Sequence, residues 1–326
     1  MMKTKPEISV CIFTLNPDPD FFRQVIKGIK EQTFALSRYE IVIVDNGSEP
    51  PVSEIFFQDL AWHPAVIYSV EPQKGFTYAN RKLFEEANSD IIVILGDDCV
   101  LAPDYLEKVN SILSEHLDVG VVTGSICLHS EYKANGLMRQ FLESNYWSGN
   151  FTGYVETQIR TRFTAAMRGS AGMAVRKNVG KAFLERFWIY PEMMAALQQA
   201  NLPFNLHYED LDLAMHAMYM NYKIARSGEL QLSHLLSEKK GQFRRVLKRE
   251  YLTGFFLEFF YLRWNWYPYN KSSMRAWGRL LRTFIFPFFP FANYLVRLSH
   301  LFGGLQARFY IINHQNLIGK VSIEHK

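Results

Sequence analysis

Three apolar, β-branched runs in the first hundred residues each stop on a short polar sequence, and this repetition constrains the fold more than any other feature of the chain. Ile8 to Phe13 runs into Thr14-Leu15-Asn16, Tyr39 to Val44 into Asp45-Asn46-Gly47-Ser48, and Ile91 to Leu95 into Gly96-Asp97-Asp98. Ile and Val without polar alternation mark strands buried on both faces, as in a parallel sheet. Helical patterns lie between them: Phe22, Val25, Ile26 and Ile29 recur at helix spacing, and another helix is expected from about Thr77 to Asn88. With a shorter run from Ala65 to Val70, the alternation predicts an α/β fold with a mainly parallel central sheet flanked by helices. Ligands of such sheets collect at the carboxyl ends of the strands, where Thr14, Asn16, Asp45, Asn46, Asp97 and Asp98 fall.

Further on, a helix from Pro103 to about His116 leads to a strand over Gly120 to Ile126. The stretch from His129 to Arg168 has weak periodicity and reads as a variable excursion. Gly169-Ser170-Ala171-Gly172 is a tight loop feeding a strand at Met173 to Val175, its glycines permitting close backbone approach to a ligand. Glu209-Asp210 opens a helix over Leu211 to Tyr219, with carboxylates where the helix dipole favours them. A last strand near Tyr222 to Ala225 precedes His234.

Charge divides the chain. The 326 residues, 48% hydrophobic and 21% charged, exclude a disordered or collagen-like protein, and the net charge of +4 suggests nothing special. Residues 239–326, however, hold 15 Lys+Arg against 3 Asp+Glu, a net of +12, leaving the rest of the chain at −8. Two regions follow: residues 1–238 as an acidic body and residues 239–326 as a basic, aromatic tail. Phe243, Val246, Leu247, Tyr251 and Phe255 alternate with Arg244, Arg245, Lys248 and Arg249 at helical spacing, and Trp277, Leu280, Leu281 and Phe284 repeat the theme. Basic amphipathic helices of this kind lie on anionic membranes, although packing against the body is the commoner fate of an apolar stripe. No nucleic-acid module accompanies the basic residues. The longest charge-free apolar window, Thr283 to Val296, has about 14 residues, short of the ~20 that span a bilayer. Cys11, Cys99 and Cys127 are odd in number and show no metal-like spacing, which favours a reducing compartment. The expectation is a cytoplasmic protein, peripheral on the cytosolic membrane face.

Five stretches together resemble the family 2 inverting glycosyltransferases, whose nucleotide-sugar-binding fold is called GT-A. They are Ser9 to Asn16; Ile41 to Ser48; Gly75-Phe76-Thr77-Tyr78-Ala79-Asn80; Ile94 to Asp98 with Pro103-Asp104-Tyr105-Leu106 behind it; and Gly172 to Lys177 with Tyr208-Glu209-Asp210-Leu211-Asp212 downstream. Their order and spacing carry the likeness over roughly residues 8 to 235.

The resemblance implies a division of roles. Thr14, Asn16, Asp45, Asn46, Gly75, Asn80, Asp97 and Gly172 would line the nucleotide-sugar site, with Asp45 accepting from the base or ribose; Asp-Asn-Gly is equally an Asx turn that shapes a loop. Asp98 aligns with the second acid of the family's Asp-x-Asp and would hold Mn²⁺ or Mg²⁺ on the diphosphate. The first acid is replaced by Gly96. His234 falls where many members complete the metal site, and a histidine between Leu232 and Leu235 is as readily a packed residue. Asp210 aligns with the general base, Glu209 would orient the base or acceptor, and both can cap the helix they open. Arg81, Arg168 and Arg176 are available to phosphate or sugar.

The function implied is single-displacement transfer from a nucleoside diphosphate sugar to a hydroxyl of a glycan or lipid-linked acceptor, in cell-surface polysaccharide or glycolipid synthesis. The missing acid at Gly96 motivates a second reading, a non-catalytic relative that binds nucleotide or glycan and assembles a complex.

Overall fold

A computed structural model of the chain describes residues 5–128, 151–161, 163–167, 171–186, 189–201, 209–236, 242–264 and 291–313. They fall into two compact units, one of Met1–Ile159, Phe163–Arg186 and Leu213–Leu236, the other of Arg160–Arg162, Phe187–Asp212 and Ser237–Lys326. The second unit therefore takes in a stretch well before the basic tail.

The first unit is built on β1 (Ile8–Thr14), β2 (Tyr39–Asp45), β3 (Val66–Val70) and β4 (Ile91–Gly96), parallel and in the order β3-β2-β1-β4. Every residue of β2 is buried, as a strand covered on both faces requires. Register sets the site: Thr14 lies opposite Asp45, Asp45 opposite Val70, and Phe13 opposite Gly96, so the polar sequences emerge level at one edge.

Helices cover these strands. In α1 (Pro19–Lys30) Asp18 caps the amide groups of Asp20 and Phe21, and Phe22, Val25, Ile26 and Ile29 are buried. Then come α2 (Val52–Leu60) and α3 (Phe76–Glu86).

Beyond β4 the sheet becomes mixed, with β5 (Cys99–Leu101), β6 (Val119–Leu128), β7 (Tyr154–Thr157), β8 (Ala174–Arg176) and β9 (Lys223–His234) completing the order β4-β8-β6-β9-β5 and β7 pairing with β9. β8 is antiparallel to β4 and β6, while β6 and β9 are parallel. Four helices, α4 (Tyr105–Glu115), α5 (Lys177–Glu185), α6 (Ile189–Gln199) and α7 (Glu209–Tyr219), lie between these strands in the chain.

Two differences from the sequence expectation matter. The three-residue β5 is too short to carry a hydrophobic pattern. β9 does not end near Ala225 but continues to His234, making that histidine a strand residue. Its middle, Ser227-Gly228-Glu229, stays in the strand where the β6–β9 register shifts between Thr123 and Ser125. Gly228 is required there: a Cβ would lie 2.4 Å from the Phe151 carbonyl oxygen.

In the second unit, α8 (Phe243–Arg263) and α9 (Phe291–Asn313) cross backbone to backbone. A Cβ on Gly254 would fall 1.8 Å from the His300 carbonyl oxygen, and one on Gly303 1.9 Å from that of Tyr251. Of the stripe that the spacing picks out, Val246 and Phe255 are buried and Phe243, Leu247 and Tyr251 half-buried, and Phe256, Phe259 and Phe260 of α8 are buried as well. Among the described residues of this pair, Phe302 and Phe309 are large apolar side chains left exposed, and they share one face of α9. No helix among the described residues is long and apolar enough to cross a membrane. The expected elements around Trp277 to Phe284 lie outside the described residues.

Candidate active site

At the level edge of β1, β2 and β4 the polar side chains tie the strand ends together. Thr14 donates its hydroxyl to Asp97 Oδ2 at 2.6 Å, joining β1 to the turn after β4. Asn16 adopts a left-handed φ of 49°, donates its amide to Ser48 Oγ at 2.8 Å and accepts from the Glu49 amide at 2.9 Å.

Asp45 is buried. Its Oδ1 accepts from the Ser48 amide at 2.8 Å and its Oδ2 from the Val52 amide at 2.9 Å, so it closes the turn and caps α2. A carboxylate oxygen has two acceptor sites, so each retains capacity for a ligand donor. Asn46 clamps the next loop: Nδ2 donates to the Glu71 and Gln73 carbonyls at 2.9 and 2.8 Å, and Oδ1 accepts from the Gly75 amide at 2.7 Å. Gly75 holds φ 141°, a conformation that favours glycine, immediately before α3.

Two expected site residues, Asn80 and Gly172, and the arginines Arg176 and Arg81 are held within the fold. Asn80 is buried on α3, and its Oδ1 makes no hydrogen bond among the described residues. Gly172, at φ 71°, serves packing: Tyr105 donates its hydroxyl to the Gly172 carbonyl at 2.7 Å, and a Cβ on Gly172 would lie 2.6 Å from that hydroxyl. Arg176 donates to the Val119, Leu113 and His116 carbonyls, finishing α4, and its burial lowers its pKa. Arg81 pairs with the buried Glu71 carboxylate at 2.8 Å. Arg168, Gly169 and Ser170 lie outside the described residues.

The densest chemistry sits where β4 turns into β5. Asp98 Oδ2 is 3.2 Å from His234 Nε2, and Cys99 Sγ donates to Asp98 Oδ1 at 3.3 Å. Antiparallel pairing places Cys99 directly opposite His234, and the Leu235 amide donates to the Asp98 carbonyl at 2.7 Å. One ligand atom from each of Asp98, Cys99 and His234 lies within 4.8 Å of the others. A carboxylate, an imidazole and a thiol so disposed fit a divalent transition ion; the nitrogen and sulfur fit Mg²⁺ poorly, since it takes oxygen ligands. Cys99 was invisible to a search for cysteine spacing, and only its adjacency to Asp98 signalled it.

Gly96 also acquires a role. A Cβ there would lie 3.0 Å from Asp98 Oδ1, so the missing side chain leaves room for that carboxylate.

Asp210 is half-buried at the start of α7, with Oδ1 accepting from the Leu211 amide at 2.8 Å. It belongs to the second unit, and from Leu213 the helix continues in the first. Glu209 is helical, and its side chain lies outside what is described. Asp212 is structural: Arg263 donates to Oδ2 at 2.6 Å and the Trp264 indole to Oδ1 at 2.5 Å, all three residues being buried.

A curled mixed sheet, flanked by helices, whose parallel strands end level in polar loops is the architecture of a GT-A type fold. Residues 9–179 match glycosyl transferase family 2, and the chain belongs to that family. Glycosyltransferase AglE of Haloferax volcanii is 29% identical over 115 residues, 35% of this chain and 38% of that protein. A glucosyl-dolichyl phosphate glucuronosyltransferase of the same organism is 23% identical over 124 residues, 37% and 38% of the two chains. The chain thus spans well under half the length of either relative. Among solved structures, mannosyltransferase PcManGT of Pyrobaculum calidifontis, in complex with GDP-Man and Mn²⁺, aligns with a TM-score of 0.52 at 16% identity, covering 96% of this chain and 76% of that one. S. aureus TarS 1-349 in complex with UDP aligns at 0.51 and 12%, covering 95% and 92%. These likenesses show the fold.

Proposed function

We propose that the protein transfers a sugar, with inversion, from a nucleoside diphosphate sugar to a hydroxyl of a glycan or lipid-linked acceptor. The observation that carries this reading is the Asp98–His234 pair, 3.2 Å apart at the carboxyl edge of a parallel sheet. Bound there, a divalent ion supplies Lewis-acid stabilisation of the departing diphosphate; the donor set favours Mn²⁺ over Mg²⁺.

Asp98 and His234 hold that ion. Thr14, Asn16, Asp45 and Asn46 shape the nucleotide loops, and the remaining acceptor sites of Asp45 take a base N–H or ribose hydroxyl. Asp210 takes the acceptor proton as the acceptor oxygen bonds to the anomeric carbon and the bond to the diphosphate breaks. A glucosyl-dolichyl phosphate glucuronosyltransferase among the relatives supports the lipid-linked class of acceptor. The +12 tail and the exposed Phe302 and Phe309 support docking on an anionic membrane face.

Gly96 in place of an acid motivates the competing reading, a non-catalytic binding relative. The two separate when the purified protein is offered a panel of nucleotide sugars with and without Mn²⁺. Ion-dependent donor turnover supports the enzyme; donor binding with no turnover on any acceptor or water supports the binding relative.

A further inference from the structure

We infer that Cys99 is a third ligand of the Asp98–His234 centre, and that its sulfur makes the centre prefer thiophilic divalent ions, Zn²⁺ or Cd²⁺, over Mn²⁺. The inference rests on the proposal that a metal ion binds at that pair.

Geometry carries it. Residues directly opposite in an antiparallel ladder present their side chains on the same face, and Cys99 is opposite His234. The Asp98 carboxylate bridges the two, with Sγ 3.3 Å from Oδ1 and Nε2 3.2 Å from Oδ2. With bonds of about 2.3 Å to sulfur and about 2.0 Å to nitrogen or oxygen, the edges of a tetrahedral zinc site are roughly 3.3–3.6 Å. One ligand atom from each of the three residues lies within 4.8 Å of the others, so small side-chain rotations bring the set to those edges. The backbone is already fixed by the β5–β9 ladder and the Leu235 amide, so binding asks for side-chain adjustment alone.

Burial agrees. Cys99 is 2% exposed, while the His234 side chain retains 19%. Three protein ligands are the number found in zinc centres that keep a fourth position for water or substrate. Here the fourth position would receive a diphosphate oxygen. Sulfur at such a site selects for softer ions, beyond the general order in which Zn²⁺ already exceeds Mn²⁺.

The test is titration of the full chain with Cd²⁺, read by ultraviolet thiolate-to-Cd²⁺ charge-transfer absorption, alongside calorimetry with Zn²⁺ and Mn²⁺. Expected is one equivalent of Cd²⁺ producing the band in the wild type and in Cys127→Ala, and no band in Cys99→Ser, which keeps a hydroxyl to donate to Asp98. Zn²⁺ affinity in Cys99→Ser should fall by more than the ~10–100-fold that loss of an outer-shell partner costs, with Mn²⁺ affinity unchanged. If Mn²⁺ binds in an Asp98-dependent way while Cd²⁺ gives no band in the wild type, Cys99 is not a ligand and the metal proposal stands without it. If the band persists in Cys99→Ser, the inference is overturned. If no divalent ion binds at all, both fall together.

Discussion

Cys99 and His234 face each other across the short antiparallel pairing of β5 with β9, and that pairing brings the Asp98 carboxylate to 3.2 Å from the imidazole. The residues lie far apart in sequence, and the regular register Cys99–His234, Val100–Ser233, Leu101–Leu232 joins them. The site's electrostatic centre is therefore a product of sheet topology, and its behaviour on substitution can be anticipated from that topology.

Restoring the absent acid should not help. Gly96→Asp places a Cβ 3.0 Å from Asp98 Oδ1 and adds a second negative charge there. The expected result is weaker Mn²⁺-dependent donor binding than wild type, measured by calorimetry. Tighter binding would mean that the centre can accommodate the acid and that Gly96 is a deficit.

Asp45 holds two backbone amides, so its replacement has a structural and a ligand consequence. Asp45→Ala should lower stability by about 1–3 kcal/mol, because the Ser48 and Val52 amides lose their acceptor. Thermal melts check that part. At a temperature where the variant is folded, nucleoside diphosphate affinity should also drop; wild-type affinity would confine Asp45 to the turn and helix cap.

Acid should loosen the α8–α9 pair through Glu250. Burial pushes its carboxyl up, but hydrogen bonds and charge from His300 and Arg249 outweigh this and hold its pKa below the ordinary glutamate value. A group whose folded pKa is depressed stabilises the fold above its unfolded pKa, and loses that contribution as pH falls through the folded value. Stability should therefore decline between about pH 5 and 3, and Glu250→Gln should be less stable at pH 7 yet converge with wild type in acid. Parallel melts across that range decide it.

How much of this could be read from the chain alone depended on burial. β1, β2 and β4 were legible because strands covered on both faces are written as runs rich in Ile and Val, and their polar ends showed where a site could form. β5 was not, being three residues long, nor was the reach of β9, whose bulge puts Ser227-Gly228-Glu229 inside a strand. Cys99 went unread for the same reason. For α8 the sequence left two fates open, since basic neighbours suggest a surface and an apolar stripe suggests burial; Gly254 and Gly303 let two helices meet closely, and Phe255, Phe256, Phe259 and Phe260 are buried.

Among the described residues of the basic tail, α9 carries the exposed apolar side chains that the proposed membrane docking would use. Phe302 and Phe309 are 56% and 71% exposed and lie seven residues apart, about two helical turns. Wild type should sediment with vesicles containing anionic lipid and be released by salt, and Phe302→Ser/Phe309→Ser should sediment several-fold less. Equal sedimentation of the double variant would remove α9 from the docking surface.

Whether Asp98 and His234 hold an ion against the leaving diphosphate is decided by calorimetric titration of nucleoside diphosphate into wild type and Asp98→Asn, each with and without Mn²⁺. Mn²⁺ should tighten binding to wild type by about tenfold or more, a coupling of at least ~1.4 kcal/mol, and do nothing for Asp98→Asn. Nucleotide affinity that is the same with and without the ion in wild type would contradict that role.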